Sequence, residues 1–114
     1  MAGAELNVQC DDGLAVITID RPQARNAIAP ETMDQLDRAL DEAAGARALV
    51  ITGGGDRAFV SGGDLKQLAA IRTEPDAAAM AWRMRTLCDR IAAFPAPVIA
   101  AMNGHALGGG AEVA

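Results

Sequence analysis

The chain has 114 residues, of which 51% are hydrophobic and 22% charged, and ten basic against 15 acidic side chains give a net charge of −5. This balance is typical of a folded globular protein and excludes a disordered chain. A single lysine, Lys66, and three aromatic residues provide neither the basic surface nor the stacking rings that nucleic-acid binding needs. We therefore expect no nucleic-acid partner.

The sequence also predicts no membrane span, no export signal and no metal site. The longest apolar run, residues 91–102, has 12 residues and two prolines, whereas a membrane span needs about 20. The first ten residues carry Glu5 and no basic region, so we expect no export signal. Cys10 and Cys88 lack CxxC spacing and there is one histidine, so the sequence predicts no metal site. We expect a cytoplasmic protein with two reduced thiols used as small hydrophobic side chains.

Hydrophobic patterning divides the chain into alternating strands and helices, which predicts an α/β fold. An Asp-Gly turn at residues 11–13 predicts a hairpin between the first two strands, and parallel pairing is expected elsewhere. The predicted strands are Val8–Cys10, Leu14–Asp20, Ala48–Thr52, Ala58–Val60 and Val98–Met102. The predicted helices are one opened by Pro30 and stopped by Gly45, then Asp64–Ile71, Asp76–Phe94 and a first turn at Ala111–Ala114.

Two helices carry apolar residues at helical spacing, and both stripes are predicted to be core. The first stripe consists of Met33, Leu36, Leu40 and Ala43. The second consists of Met80, Met84, Leu87, Ile91 and Phe94. We interpret the second stripe as core rather than as a cofactor surface.

Two segments share a pattern: an apolar strand ends, glycines follow and a helix begins. They are AFVSGGDLKQL, residues 58–68, and VIAAMNGHALGGGAE, residues 98–112. The first turn of a helix leaves backbone N–H groups unpaired, and glycine allows a ligand to approach them closely. Two such groups aimed at one point form an oxyanion hole. The alternative is that both segments are tight turns between packed elements.

Other glycine-rich and nucleophile motifs are absent. The chain has no G-x-x-x-x-G-K-[ST] segment, no G-x-G-x-x-G after a strand and no G-x-S-x-G, because Phe59 occupies the position of the first glycine. Ser61 and His105 are the only serine and histidine, and nothing indicates that they meet. A serine–histidine triad is therefore not favoured.

Three ordered segments resemble motifs of the enoyl-CoA hydratase/isomerase family, the crotonase superfamily. IDRPQARNAI is similar to the family's N-R-P-x-x-x-N-A-L segment, and RALVITGGGDRAFVSGGDLKQL to its R-x-x-V-[IL]-T-G-x-G-x-x-F-x-[AS]-G-x-D-[LI] segment. FPAPVIAAMNGHALGGGAEVA is similar to its P-x-P-[VT]-I-A-A-[IV]-x-G-x-A-x-G-G-G-x-E-[LF]-A segment. The resemblance covers residues 8–114 and implies the N-terminal part of the crotonase-like ββα spiral fold.

The resemblance implies an acyl-CoA thioester as substrate, with no cofactor beyond the CoA that the substrate carries. The family forms a thioester enolate whose oxygen is held by two backbone N–H groups, which fall on Gly63 and Gly109 here. Preorganised donors of this kind contribute roughly 3–4 kcal/mol each. Glu112 matches the first catalytic glutamate of family hydratases and is the expected general base. Its structural alternative is a first-turn acid that the helix dipole favours.

The implied CoA contacts are Arg25, Ala27 and Lys66, and the expected substrate-binding set also includes Ser61 and Asp64. Two positive charges would offset phosphate charge on an acidic chain. The alternative is that Arg25 and Lys66 are ordinary solvated charges on the protein surface. Asp64 is expected to cap the helix after Gly63 and thereby fix its N–H.

The resemblance leaves the reaction open. Ile28 replaces the usual leucine, and His105 stands where an aromatic or small residue is common. The second acid of family hydratases belongs to a later segment, so we expect residues 1–114 to be part of a longer domain that assembles as a trimer or hexamer. Hydration of a trans-2-enoyl-CoA is the favoured hypothesis. The alternatives are isomerase, decarboxylase, dehalogenase or hydrolase chemistry on acyl-CoA, or a catalytically silent fragment.

Overall fold

A computed structural model of the chain describes residues 6–63 and 69–114. Within those ranges a 3-10 turn, Pro22–Ala24, follows the second strand. The strands are β1 (Leu6–Asp11), β2 (Leu14–Ile19), β3 (Ala48–Gly53), β4 (Ala58–Val60), β5 (Val98–Ala101) and β6 (His105–Ala106). The helices are α1 (Pro30–Glu42), α2 (Glu74–Ala92) and α3 (Gly109–Val113). Most of the predicted helix Asp64–Ile71 lies outside the described residues.

Four of the described strands form one sheet in the order β1-β2-β3-β5. β1 and β2 pair antiparallel across Asp12 and Gly13, both of which have positive φ, as the predicted Asp-Gly hairpin requires. β3 pairs parallel with β2 on one side and with β5 on the other. The predicted hairpin and the predicted parallel pairing are both confirmed.

A second sheet joins β4 to β6, and the sequence analysis missed β6. The sequence predicts no strand at residues 105 and 106, but they pair parallel with β4. The His105 N–H donates to the Arg57 carbonyl at 3.1 Å, and the Leu107 N–H donates to the Val60 carbonyl at 3.2 Å. A strand of two residues has no periodicity to detect, so only its tertiary partner identifies it.

The core lies between the four-stranded sheet and α1. β2 buries alternate residues, and α1 buries the face predicted from its spacing, including Met33, Leu36 and Leu40. Ala43 follows the end of α1 and is also buried. The Thr32 hydroxyl accepts a hydrogen bond from the Ala29 N–H at 3.2 Å, which secures the start of the helix.

α2 departs from its prediction at both ends and in its buried face, and it ends at Ala92 rather than Phe94. It begins at Glu74 rather than Asp76, because Thr73 caps it by accepting from the Asp76 N–H at 3.2 Å. Leu87 and Ile91 are buried, as predicted. Four other residues, among them three members of the predicted stripe, pack against the core but are only half-buried: Met80, Met84, Cys88 and Phe94.

Two smaller expectations also need correction. α3 begins at Gly109 rather than Ala111, since the glycine-rich loop turns directly into helix. Cys88 packs against the core, but Cys10 is exposed on an outer strand and is not used as a buried hydrophobic side chain; both thiols are free. Among the described helices, none combines the length and the apolar character needed to cross a membrane.

Candidate functional site

The segment from Arg21 to Ile28 forms a tight turn around the side chain of Asn26. Arg25 and Asn26 both adopt left-handed backbone conformations, with φ of 52° and 56°. Asn26 is fully buried. Its Oδ1 accepts from the Arg21 N–H at 2.8 Å, and its Nδ2 donates to the carbonyls of Gly54 at 3.0 Å and Ala58 at 2.8 Å. A buried asparagine with three such partners fixes the turn against the loop between β3 and β4.

The first glycine junction, residues 61–63, lies alongside this turn. The Ile28 N–H donates to the Gly62 carbonyl at 2.8 Å, and the Ser61 N–H donates to the Arg25 carbonyl at 3.2 Å. Ile28 and Gly63 form a parallel bridge. Gly62 has a φ of 122°, a conformation that essentially requires glycine. The turn therefore fixes the position of the Gly63 backbone through hydrogen bonds to the two residues before it.

The second glycine junction, residues 108–110, packs directly on β4 and on the first junction. A Cβ on Gly110 would lie 1.8 Å from the Val60 carbonyl oxygen, so only glycine permits this approach. A Cβ on Gly109 would lie 3.9 Å from Gly62 Cα. The two junctions, which are more than 40 residues apart in the sequence, are thus in contact.

Both predicted N–H donors lie at this contact. Among the described residues, neither the Gly63 N–H nor the Gly109 N–H has a hydrogen-bond acceptor. The bridge between Ile28 and Gly63 uses the Gly62 carbonyl and leaves the Gly63 N–H available. Gly63 is exposed and Gly109 half-buried.

A cavity of about 310 Å³ opens over the two junctions. Its remaining wall is apolar and comes from α1, α2 and the segment before each. The described residues that line it are Ile28, Met33, Gly62, Gly63, Ile71, Ala77, Met80, Ala81, Met84, Gly109 and Glu112. A cavity with free backbone donors, one carboxylate and an apolar wall suits a ligand with a polar head and an apolar chain.

Glu112 is the one ionisable residue among those lining residues. It lies in the first turn of α3, where its N–H donates to the Gly108 carbonyl at 3.2 Å. Its side chain is exposed. It also borders a second cavity, of about 370 Å³, together with Cys88. Burial raises the pKa of the Cys88 thiol, and the negative charges of Glu112 and Asp89 raise that pKa further.

The predicted CoA contacts are distributed around the first junction. Arg25 is exposed and lines a separate cavity of about 250 Å³ that includes Arg57 and Asp56. Ala27 is buried; its N–H donates to the Ala24 carbonyl at 3.0 Å, and its carbonyl accepts from the Arg21 guanidinium. Ser61 is half-buried. Asp64 and Lys66 lie outside the described residues, and the CoA role of all five residues stays a prediction.

Sequence reasoning missed two kinds of residue in this region. Asn26 and Asn103 hold the loops that lead to the two junctions, and each makes three side-chain hydrogen bonds to backbone groups. Met80 and Met84 line the cavity rather than only the core. An asparagine beside an apolar run is a signal for such turn contacts, but it does not identify the distant partner. Over the described ranges, no group of three histidine, cysteine or acidic side chains is placed as metal ligands would be.

Comparisons with known proteins agree on one family. The family model "Enoyl-CoA hydratase/isomerase" matches residues 9–114. A "Probable enoyl-CoA hydratase" from Bacillus subtilis is 38% identical over 112 residues, covering 96% of this chain and 43% of that protein. An "Enoyl-CoA hydratase domain-containing protein 2, mitochondrial" from Bos taurus is 41% identical over 120 residues, covering 99% of this chain and 40% of that protein.

The crystal structure of an enoyl-CoA hydratase from Bacillus anthracis superposes with a TM-score of 0.89 at 30% identity, covering 96% of this chain and 43% of that one. The chain therefore belongs to the enoyl-CoA hydratase/isomerase family and has a partial crotonase fold, which confirms the resemblance and the fold class expected from the sequence. It spans about two fifths of the length of these relatives.

Proposed function

We propose that the protein hydrates a trans-2-enoyl-CoA thioester in the cavity over the two glycine junctions. The thioester oxygen accepts hydrogen bonds from the Gly63 and Gly109 N–H groups. The acyl chain lies against the apolar wall that Met80 and Met84 provide. CoA enters as part of the substrate, and the proposed step needs no separate cofactor.

The proposed chemistry is a conjugate addition. The oxygen of water forms a bond to C3 of the enoyl group, the C2–C3 π electrons move toward the carbonyl, and negative charge develops on the thioester oxygen. Glu112 accepts the proton that the water loses and delivers it to C2 as the carbonyl re-forms, which completes the addition of one water and regenerates the Glu112 carboxylate. The two backbone donors stabilise the enolate because they are fixed before the charge develops.

One observation carries this proposal. Gly63, Gly109 and Glu112 line the same cavity although they come from separate segments of the chain, and the two glycine N–H groups have no acceptor among the described residues. Gly63 is exposed and Gly109, which is half-buried, begins α3, so both N–H groups are available as donors to a ligand in the cavity. Trimeric or hexameric assembly and a cytoplasmic location stay predictions, and the relative named mitochondrial shows that family membership does not fix the compartment.

The test uses Glu112→Gln in the natural gene product, with hydration followed by loss of the ultraviolet absorbance of the conjugated enoyl thioester. Turnover should fall by about 10²–10⁴-fold, since a positioned general base contributes that much. Glu74→Gln is the matched control, because Glu74 is also a first-turn glutamate but does not line the cavity. Unchanged turnover in Glu112→Gln would remove Glu112 from the mechanism. A parallel assay with a 3-enoyl-CoA would reveal isomerisation instead of hydration.

A further inference from the structure

Two asparagine side chains converge on one backbone carbonyl. The Ala58 carbonyl accepts from Asn26 Nδ2 at 2.8 Å and from Asn103 Nδ2 at 2.9 Å. Ala58 is buried, and the pairing of β4 with β6 is irregular between Ala58 and Val60. The asparagines, which are 77 positions apart in the sequence, therefore both donate to one carbonyl on β4, which has two lone pairs to accept them.

Asn26 connects this carbonyl to the first glycine junction. Two residues after Asn26, the Ile28 N–H holds the Gly62 carbonyl at 2.8 Å, and the residue before Asn26 accepts from the Ser61 N–H at 3.2 Å. The segment therefore contacts the backbone on the N-terminal side of Gly63 twice. Displacing Asn26 from Ala58 would shift both of these contacts, and the Gly63 N–H with them.

Asn103 connects the same carbonyl to the second junction. Its Oδ1 accepts from the Gly53 N–H at 3.0 Å, and its Nδ2 also donates to the Gly55 carbonyl at 3.0 Å. Residues 103–108 then run along β4, where the Leu107 N–H donates to the Val60 carbonyl at 3.2 Å. This run delivers Gly109 to its position beside Gly62.

We propose that Asn26 and Asn103 are positioning residues that set the separation of the Gly63 and Gly109 N–H groups through the shared Ala58 carbonyl. This inference rests on the proposed function, in which both N–H groups bind one oxygen. Two donors can both hydrogen-bond one oxygen only over a narrow range of separations. The Ala58 carbonyl is bound to both loops, so its two hydrogen bonds set the geometry of the oxyanion hole. The asparagines themselves do not contact the substrate.

The test compares Asn103→Asp with the unaltered gene product. Aspartate has the shape of asparagine and keeps the acceptor for the Gly53 N–H, but an ionised aspartate cannot donate to Ala58 or Gly55. Asn26→Asp is the second variant, and it tolerates the left-handed backbone at residue 26. Thr52→Val is the control, because the Thr52 hydroxyl donates to the Ala101 carbonyl at 2.9 Å and so links β3 to β5 without contacting either junction.

The main readout is the ultraviolet absorbance of the enolate of acetoacetyl-CoA, a β-keto thioester that an oxyanion hole should hold in its enolate form. The saturated thioester butyryl-CoA reports ground-state binding. We expect Asn103→Asp to lower the enolate fraction and to reduce kcat by about 10–10²-fold. Its dissociation constant for butyryl-CoA and the KM should stay within about threefold of the original values, which a general loss of structure would not allow.

The outcomes separate the two claims. If the unaltered protein binds acetoacetyl-CoA but does not raise its enolate absorbance, the proposed function itself is wrong. If it raises that absorbance and Asn103→Asp does so equally, the positioning role is wrong. The positioning role would also be wrong if Asn103→Asp lost enolate absorbance and butyryl-CoA binding to the same extent. It would be wrong, too, if Thr52→Val lost as much enolate absorbance as Asn103→Asp. Should Asn26→Asp fail to fold, the half-buried Asn103 still decides the question.

Discussion

The two longer described helices have similar apolar spacing but do different things with it. α1 has 13 residues and buries five of them, namely Thr32, Met33, Leu36, Ala39 and Leu40. α2 has 19 residues and buries only Leu87 and Ile91. Met84 and Met80, which lie one and two turns before Leu87, are half-buried and line the cavity over the glycine junctions.

The difference shows that a helix face can be continuous in sequence and divided in function. The buried core residues of α2 lie in its C-terminal half, whereas Met80 and Met84 are half-buried against the core and also line the cavity over the glycine junctions. Unbranched, flexible methionine suits such a wall, because it can adjust to ligands of different shape. Four changes, taken from the largest expected effect to the smallest, test this division.

Leu36→Ala in α1 should have the largest effect on stability. Leu36 is fully buried in the core between α1 and the sheet. Removing a leucine side chain from such a site leaves a void and costs about 2–5 kcal/mol. Denaturant unfolding of the gene product would measure the loss of free energy. A loss below about 1 kcal/mol would mean that α1 is not closing the core as described.

Met80→Ala in α2 should cost only about 1 kcal/mol, because the half-buried side chain loses less apolar contact on truncation. Its main effect should be on substrate binding. The KM for enoyl-CoA thioesters should rise, while the unfolding midpoint changes little. A stability loss as large as that of Leu36→Ala would show that Met80 belongs to the core and would break the comparison.

Arg90→Met tests the contact between the two helices. The Arg90 guanidinium on α2 donates to the Asp37 carbonyl at 2.8 Å, lies 3.4 Å from the Asp37 carboxylate and pairs with Asp41. The side chain is 37% exposed, so solvent screening limits the loss to about 0.5–1 kcal/mol, and added salt should reduce it.

Arg85→Met is the matched control for that change. Arg85 is exposed, and its one ion pair among the described residues is with Asp89 at 3.9 Å, within α2. Its removal should change the unfolding free energy by less than about 0.5 kcal/mol. Equal losses for the two arginines would mean that Arg90 does not link the helices.

The smallest effect concerns the Cys88 thiol on α2. Burial first, and then Glu112 and Asp89, raise its pKa above the ordinary value of 9.0. The folded state therefore keeps this thiol protonated at a pH where the unfolded chain has lost the proton. The resulting stabilisation is complete below pH 9 and is lost as pH rises through the folded pKa.

Alkylation rates measure this environment. Since the thiolate is the reactive form, Cys88 should react more slowly than the exposed Cys10. Glu112→Gln removes one of the neighbouring charges and should speed alkylation of Cys88 by about a few-fold, with Cys10 unchanged. No change at Cys88 would contradict the proximity of Glu112 to the thiol.

Features set by local sequence were predictable. The Asp-Gly turn at residues 12–13 predicted the β1–β2 hairpin, and the spacing of Met33, Leu36 and Leu40 predicted the buried face of α1. Each of these depends on residues close together in the chain. The same pattern on α2 overstated the core, because periodicity reports which residues share a face but not what covers that face.

Features set by distant contacts were not predictable from composition or periodicity. Asn26 and Asn103 reach the Ala58 carbonyl across 32 and 45 positions. The resemblance assigned Gly63, Gly109 and Glu112 to one site, and the structure places all three along one cavity. Their chemical roles stay predictions, since a shared cavity does not by itself establish a reaction.

The central claim is that the Gly63 and Gly109 N–H groups bind the thioester oxygen. The most direct test is the amide proton shift of each glycine in ¹⁵N-labelled gene product, recorded as acetoacetyl-CoA is added. Both protons should move downfield together, while that of Gly45, which is exposed and does not line the cavity, should not move. If acetoacetyl-CoA binds and neither proton moves, the oxygen lies elsewhere and the account is wrong.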